Sequence, residues 1–207
     1  MADTCTLAVQ VLRSSEASDW SAHFGSVDPA PAARDTRDTR LLASRVTDER
    51  QALSQRFSAL FALRDLRASH VLAMVLQQLV PRGVGDRNAL LSHEVAYVLG
   101  QVGQGTECVA SLARVVRRAD VAAVVRHEAA VALGASGPGI EAEAALDAVS
   151  DDPHHLVSCS AAVALHHLRR QQDTLFSSSD QLRETRDADH GQQAYHCCTE
   201  VVGASCR

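Results

Sequence analysis

Apolar residues recur along this chain at helical spacing, in short blocks separated by polar, Gly-bearing stretches. In LLSHEVAYVLGQ (residues 90–101), Leu91, Val95, Val98 and Leu99 stand at i, i+4, i+7 and i+8, the buried stripe of an amphipathic helix. His93, Glu94, Tyr97 and Gln101 fall on the other side of the wheel, within a sector of about 100°. The block VVRHEAAVALGA (124–135) repeats the pattern at a shift of 34 residues, laying Ala129 to Gly134 over Val95 to Gly100. A His-Glu pair coincides as well: His93-Glu94 over His127-Glu128, the two His-Glu dipeptides of the chain.

Periods of this size indicate stacked supersecondary units. RFSALFALR (56–64) fits upstream at a shift of 36, with Phe57-Ser58 in the His-Glu places. SCSAAVALHHL (158–168) fits downstream at a shift of 32, with Cys159-Ser160 there. A second helix precedes each of the last three blocks: SHVLAMVLQQL (69–79), TECVASLARVVRR (106–118) and IEAEAALDAVS (140–150). Loops are expected at 81–88, 101–105 and 134–139. Gly100 and Gly134 are expected to end their helices through a left-handed residue. The fold class is therefore all-α, a HEAT-like solenoid of about four two-helix repeats.

The repeats are assigned to residues 48–172. TCTLAVQVL (4–12) matches SCSAAVALH (158–166), so residues 1–14 read as the closing helix of a preceding lobe. Residues 15–47, with the Pro-containing charged run SVDPAPAARDTRDTR, read as an interlobe linker. Residues 173–207 lose the period and read as a disordered polar tail.

Composition narrows the picture further. Of the 207 residues 46% are apolar but only 3% aromatic, so the core must be Ala, Val and Leu, a mixture that favours closely packed helices. The net charge of −5 argues against a nucleic-acid binder. Every basic residue is Arg, which excludes chemistry through a Lys amine. The six cysteines form no CxxC pair, and Cys108 and Cys159 sit in helical contexts as small buried residues. A reduced, cytoplasmic protein is expected, with no secretory leader and no apolar run long enough to span a bilayer.

The His-Glu pairs carry the candidate chemistry. Neighbouring helices of a repeat stack run parallel with axes near 10 Å apart, so equivalent side chains of successive repeats point into one space. Two imidazoles and a carboxylate with open positions suit ferrous iron that meets oxygen. His93, His127 and Glu128 form the ligand set. Glu94 is a fourth ligand, a carboxylate orienting an imidazole, or an anchor for a cationic substrate. Zinc is the rival metal, though the HExxH spacing of zinc proteases is absent. The competing readings are a duplicated surface pair, a protein-binding repeat scaffold, and a lyase acting on a tetrapyrrole. The other histidines, His154-His155 and His166-His167 among them, show no phase with the pairs and read as surface or core.

SHEVAYVLGQ and VRHEAAVALGA, with SVDPAP upstream and RFSALFALR between, resemble deoxyhypusine hydroxylase over roughly residues 4–170. The resemblance implies a HEAT-repeat, non-haem diiron monooxygenase that uses O2 to complete hypusine on one lysine of a translation initiation factor. It places His93, Glu94, His127 and Glu128 at the family's His-Glu iron-site motifs, with Glu94 also a candidate catalytic carboxylate. That family has two lobes with two such motifs each. This chain carries the motifs of the second, so the resemblance implies that another lobe or subunit supplies the remaining ligands. Arg117, Arg118 and Arg126 are candidates to face an acidic partner.

Overall fold

The computed structural model describes residues 28–80, 89–103 and 105–175. The expected closing helix at 1–14, the first part of the expected linker, the loop at 81–88 and the tail beyond 175 lie outside the described residues. The chain divides into two compact units, Met1–Leu168 and Arg169–Arg207.

Eight helices follow one another among the described residues. They are α1 (Thr39–Thr47), α2 (Leu53–Asp65), α3 (Ser69–Leu79), α4 (Ala89–Val102), α5 (Thr106–Val116), α6 (Ala123–Ala135), α7 (Ile140–Asp147) and α8, which begins at residue 155. They pair as α1–α2, α3–α4, α5–α6 and α7–α8, four two-helix repeats with no strand among the described residues. The first helices form one layer, in which α1 packs on α3, α3 on α5 and α5 on α7. The second helices form the other, in which α2 packs on α4 and α4 on α6. None of the described helices is long and apolar enough to cross a membrane.

The expected stripe is the core. Leu91, Val95, Val98 and Leu99 are sealed between the layers, as are Val125, Ala129, Ala132 and Leu133 one repeat later. Each such Leu or Val stabilises the stack by about 1.5–3 kcal/mol relative to an exposed position.

α1 lies inside the stretch that the sequence pattern assigned to the linker. Its start is set by Asp38, whose carboxylate accepts from the backbone N–H of Arg40 at 2.9 Å and of Leu41 at 3.3 Å. Leu42 and Val46 then bury one narrow face against α2 and α3. Two apolar residues in a nine-residue helix give too weak a period to stand out against a charged background.

The helix-ending glycines are also corrected. Gly100 and Gly134 sit inside α4 and α6, which continue to Val102 and Ala135. The left-handed backbone belongs to Gly137 (φ 89°) and to Arg67 (φ 51°). Arg67 closes α2: its N–H donates to the Arg64 carbonyl, and the Ala68 N–H reaches back to the Leu63 carbonyl at 3.0 Å.

What Gly100 and Gly134 provide is contact. A Cβ built on Gly100 would stand 3.1 Å from the Cα and Cβ of Ala132, and one on Gly134 would stand 2.8 Å from the Cβ of Ala164. These glycines bring α4 onto α6, and α6 onto α8, nearly backbone to backbone. Each lies seven residues after a His, two full turns along the same helix face. The close approach therefore presses the His-bearing face of each helix onto its neighbour.

Candidate metal centre

The four sequence-selected side chains form a row across α4 and α6. His93 Nε2 lies 3.2 Å from Glu128 Oε2, a carboxylate oxygen that also lies 4.0 Å from His127 Nε2. Glu94 Oε2 is 4.0 Å from His93 Nδ1 at the other end. Glu128 thus stands between the two imidazoles. Its side chain is 9% exposed against 27% and 28% for theirs, so it is set at the floor of the row with the rings toward solvent. Among the described residues no three His, Cys, Asp or Glu side chains converge on one point as the shell of a single ion.

Electrostatics separate the row into two ends. The hydrogen bond that His93 donates to Glu128 raises the pKa of His93; burial opposes this, and the charges of Glu128 and Glu94 add to it. Glu94 is raised chiefly by burial. His93 lowers it, Glu128 and Asp28 raise it, and Arg64 lowers it. Arg64 and Asp28 were not singled out from sequence. They form a two-pronged pair with both N···O distances 2.6 Å and side chains only 1% and 3% exposed. The pair ties residues 28–30, part of SVDPAP, to α2 and sets fixed charges behind Glu94.

At the other end, His127 Nδ1 is 2.6 Å from Ser160 Oγ on α8. The same hydroxyl lies 2.6 Å from the Leu156 carbonyl. Beyond His127 a mostly apolar groove of about 480 Å³ opens between α6 and α8, lined in part by Val131, Cys159, Val163 and His167. Cys159 is exposed in this groove, with Sγ 3.4 Å from His155 Nε2, whereas its helical context had suggested burial. His167 reaches the groove despite being out of phase with the pairs. Cys108 is buried as expected.

The arginines divide. Arg126 is buried and ion-paired with Asp152, and its Nε donates to the Val121 carbonyl at 3.2 Å, so it does not face outward. Arg56, at the equivalent place before Phe57, donates likewise to the Val46 carbonyl at 2.8 Å. This residue of the repeat ties its helix to the segment before it. Arg118 pairs with Asp120 across the loop after α5, while Arg117 is exposed.

No family model matches the chain. Among curated proteins it is 37% identical to the deoxyhypusine hydroxylase of Homo sapiens over 197 residues, 91% of this chain and 61% of that one. It is 33% identical to deoxyhypusine hydroxylase-B of Oryza sativa subsp. japonica over 88% of this chain and 61% of the relative. The structure of human deoxyhypusine hydroxylase in complex with glycerol superposes with a TM-score of 0.66 at 38% identity, covering 82% of this chain and 57% of that one. The chain spans about three fifths of the length of the curated relatives it matches. With its four-repeat stack and its His-Glu row in place, the chain is a homologue of the deoxyhypusine hydroxylases, matched over 91% of its own length and 61% of the human relative's.

Proposed function

We propose that this chain carries one side of the iron site of a deoxyhypusine hydroxylase, acting with O2 on a deoxyhypusine-bearing translation initiation factor. The observation that supports this most is Glu128 standing between His93 and His127, two imidazoles and a carboxylate in one row. The donor types are those of ferrous iron, for which two His and one carboxylate with open positions are the characteristic ligands, although the three stand in a row and do not converge on one point. His93, His127 and Glu128 would be this chain's ligands to the metal. The remaining ligands come from residues outside this row, on another lobe or another subunit.

The chemistry that iron supplies when bound is the activation of O2 for attack on an unactivated C–H bond. The rest falls to the protein. Gly100 and Gly134 hold α4, α6 and α8 close enough for the row to form. Glu94, backed by Asp28 and adjoining His93, presents a carboxyl group to the ammonium groups of a long cationic side chain. Val131 and Val163 give the His127 end an exposed apolar wall, against which the aliphatic part of such a side chain can lie.

The test uses the whole chain, loaded anaerobically with ferrous iron and assayed for bound iron and for its optical spectrum on admission of oxygen. His127→Ala is expected to reduce iron retention at least tenfold. Retention of iron and spectrum in that variant would show the site to be misassigned.

A further inference from the structure

We infer that Ser160, the residue standing in the Glu place of the fourth repeat, is a positioning residue that fixes His127 in one tautomer, with the proton on Nδ1 and the lone pair of Nε2 turned toward Glu128. The inference rests on the iron-site reading for its purpose, but its geometry stands on its own. Ser160 Oγ lies 2.6 Å from the Leu156 carbonyl oxygen and 2.6 Å from His127 Nδ1. A carbonyl has no proton to give, so an oxygen–oxygen contact of this length requires the hydroxyl proton of Ser160 to lie along it. A hydroxyl has one proton. Toward His127, Ser160 can then only accept, and the proton on that bond belongs to Nδ1. In the neutral ring Nε2 is left bare, the form a metal ligand must have, oriented by a hydrogen bond from the opposite nitrogen.

The preceding repeat shows the contrast. His93 also meets the Glu-place residue of the next repeat, but through Nε2, 3.2 Å from Glu128. Without metal, that nitrogen carries the proton of its contact with the carboxylate. His127 reaches its own neighbour with the other nitrogen. Ser160 is 9% exposed, which shields the hydrogen bond from competition by water. The repeat that lost the His-Glu pair thus keeps a part in the site as the support for the imidazole before it.

The experiment is long-range 15N–1H correlation NMR on metal-free, histidine-labelled protein at about pH 8.5, where an ordinary imidazole is neutral. Iron titration of the same samples accompanies it. The wild type should show His127 with a protonated Nδ1 and a bare Nε2. Ser160→Ala should shift it toward the Nε2–H form that a free side chain favours and weaken iron binding by about 10–100-fold. Ser160→Thr, which keeps the hydroxyl, should restore both. A wild-type His127 with its proton on Nε2, or a Ser160→Ala protein unchanged in tautomer and iron affinity, overturns the assignment. A wild type that binds no iron but shows the Nδ1–H ring, lost on Ser160→Ala, upholds the assignment and overturns only the reading that this chain's own row retains the metal.

Discussion

The seams on either side of α4 are built to different rules. Between α4 and α6, and again between α6 and α8, a glycine stands two turns after the His and lets the backbones meet. His93 then touches Glu128, and His127 touches Ser160. In α2 the corresponding places hold Phe57 and Arg64. Phe57 is buried and lies 6.0 Å from Phe61, ring centre to ring centre, while Arg64 is paired with Asp28 inside the protein. The same helix in the same layer is thus packed by bulk and a buried charge pair in one repeat, and by bare backbone in the next two. A repeat scaffold does not itself specify a site. Two side chains per helix and the thickness of the seam decide whether a face is core or chemistry.

The α2 side should be the easier to break. Asp28→Ala removes both 2.6 Å contacts of the buried Arg64 guanidinium and leaves it the half-exposed Asp65 at 3.2 Å, and loss of about 3 kcal/mol of stability is expected by denaturant unfolding. Loss below about 1 kcal/mol would mean that the pair is not sealed from water.

A smaller effect is expected at Arg126–Asp152, which anchors α6 from the outside. The Arg126 hydrogen bond holds the Asp152 carboxyl below its ordinary value. A depressed carboxylate stabilises the fold above its unfolded pKa and loses that contribution as pH falls through the folded one. The wild type should therefore lose stability below about pH 4, and Asp152→Asn should flatten that limb while costing about 1.5 kcal/mol at neutral pH. Melting temperatures across pH 2–7 give the comparison, and parallel curves for the two proteins would exclude the pair as its origin.

The glycine seam sharpens the contrast. In Gly134→Ala the new Cβ meets the backbone of Ala164 at 3.0 Å, so α6 and α8 must part. Overpacking of this kind costs about 1–3 kcal/mol, offset by about 0.5–1 kcal/mol of helix propensity, for a net loss near 1 kcal/mol. Gly100→Ala, at 3.1 Å from Ala132, should fall within about 0.5 kcal/mol of wild type. Equal and stabilising effects at both positions would show the seam to be looser than the distances state.

Much of this was legible from periodicity. The stripe of Leu91, Val95, Val98 and Leu99 and the start of α3 at Ser69 follow from a 3.6-residue repeat, because each helix buries one face. α1 escaped because its apolar face is only Leu42 and Val46. Gly100 and Gly134 were visible but misread, since a glycine near a helix end suggests termination, and only a neighbouring helix reveals close packing. Arg126 reads as surface because a sequence does not show Asp152 beside it. Ser160 occupies the Glu place of the fourth repeat, and its hydrogen bond to His127 has no local signature because it joins residues of different helices.

By itself the sequence determined the repeat, the helices that carry it, and which face of α4 and α6 bears imidazole and carboxylate, since these follow from local periodicity and side-chain chemistry. Only the tertiary structure decided that Glu128 lies between the two rings, that His93 and His127 turn opposite nitrogens to their neighbours, and that Arg64 and Asp28 stand behind Glu94. Apart from the adjacent His127 and Glu128, those are relations between residues thirty or more positions apart, set by how closely the helices pack.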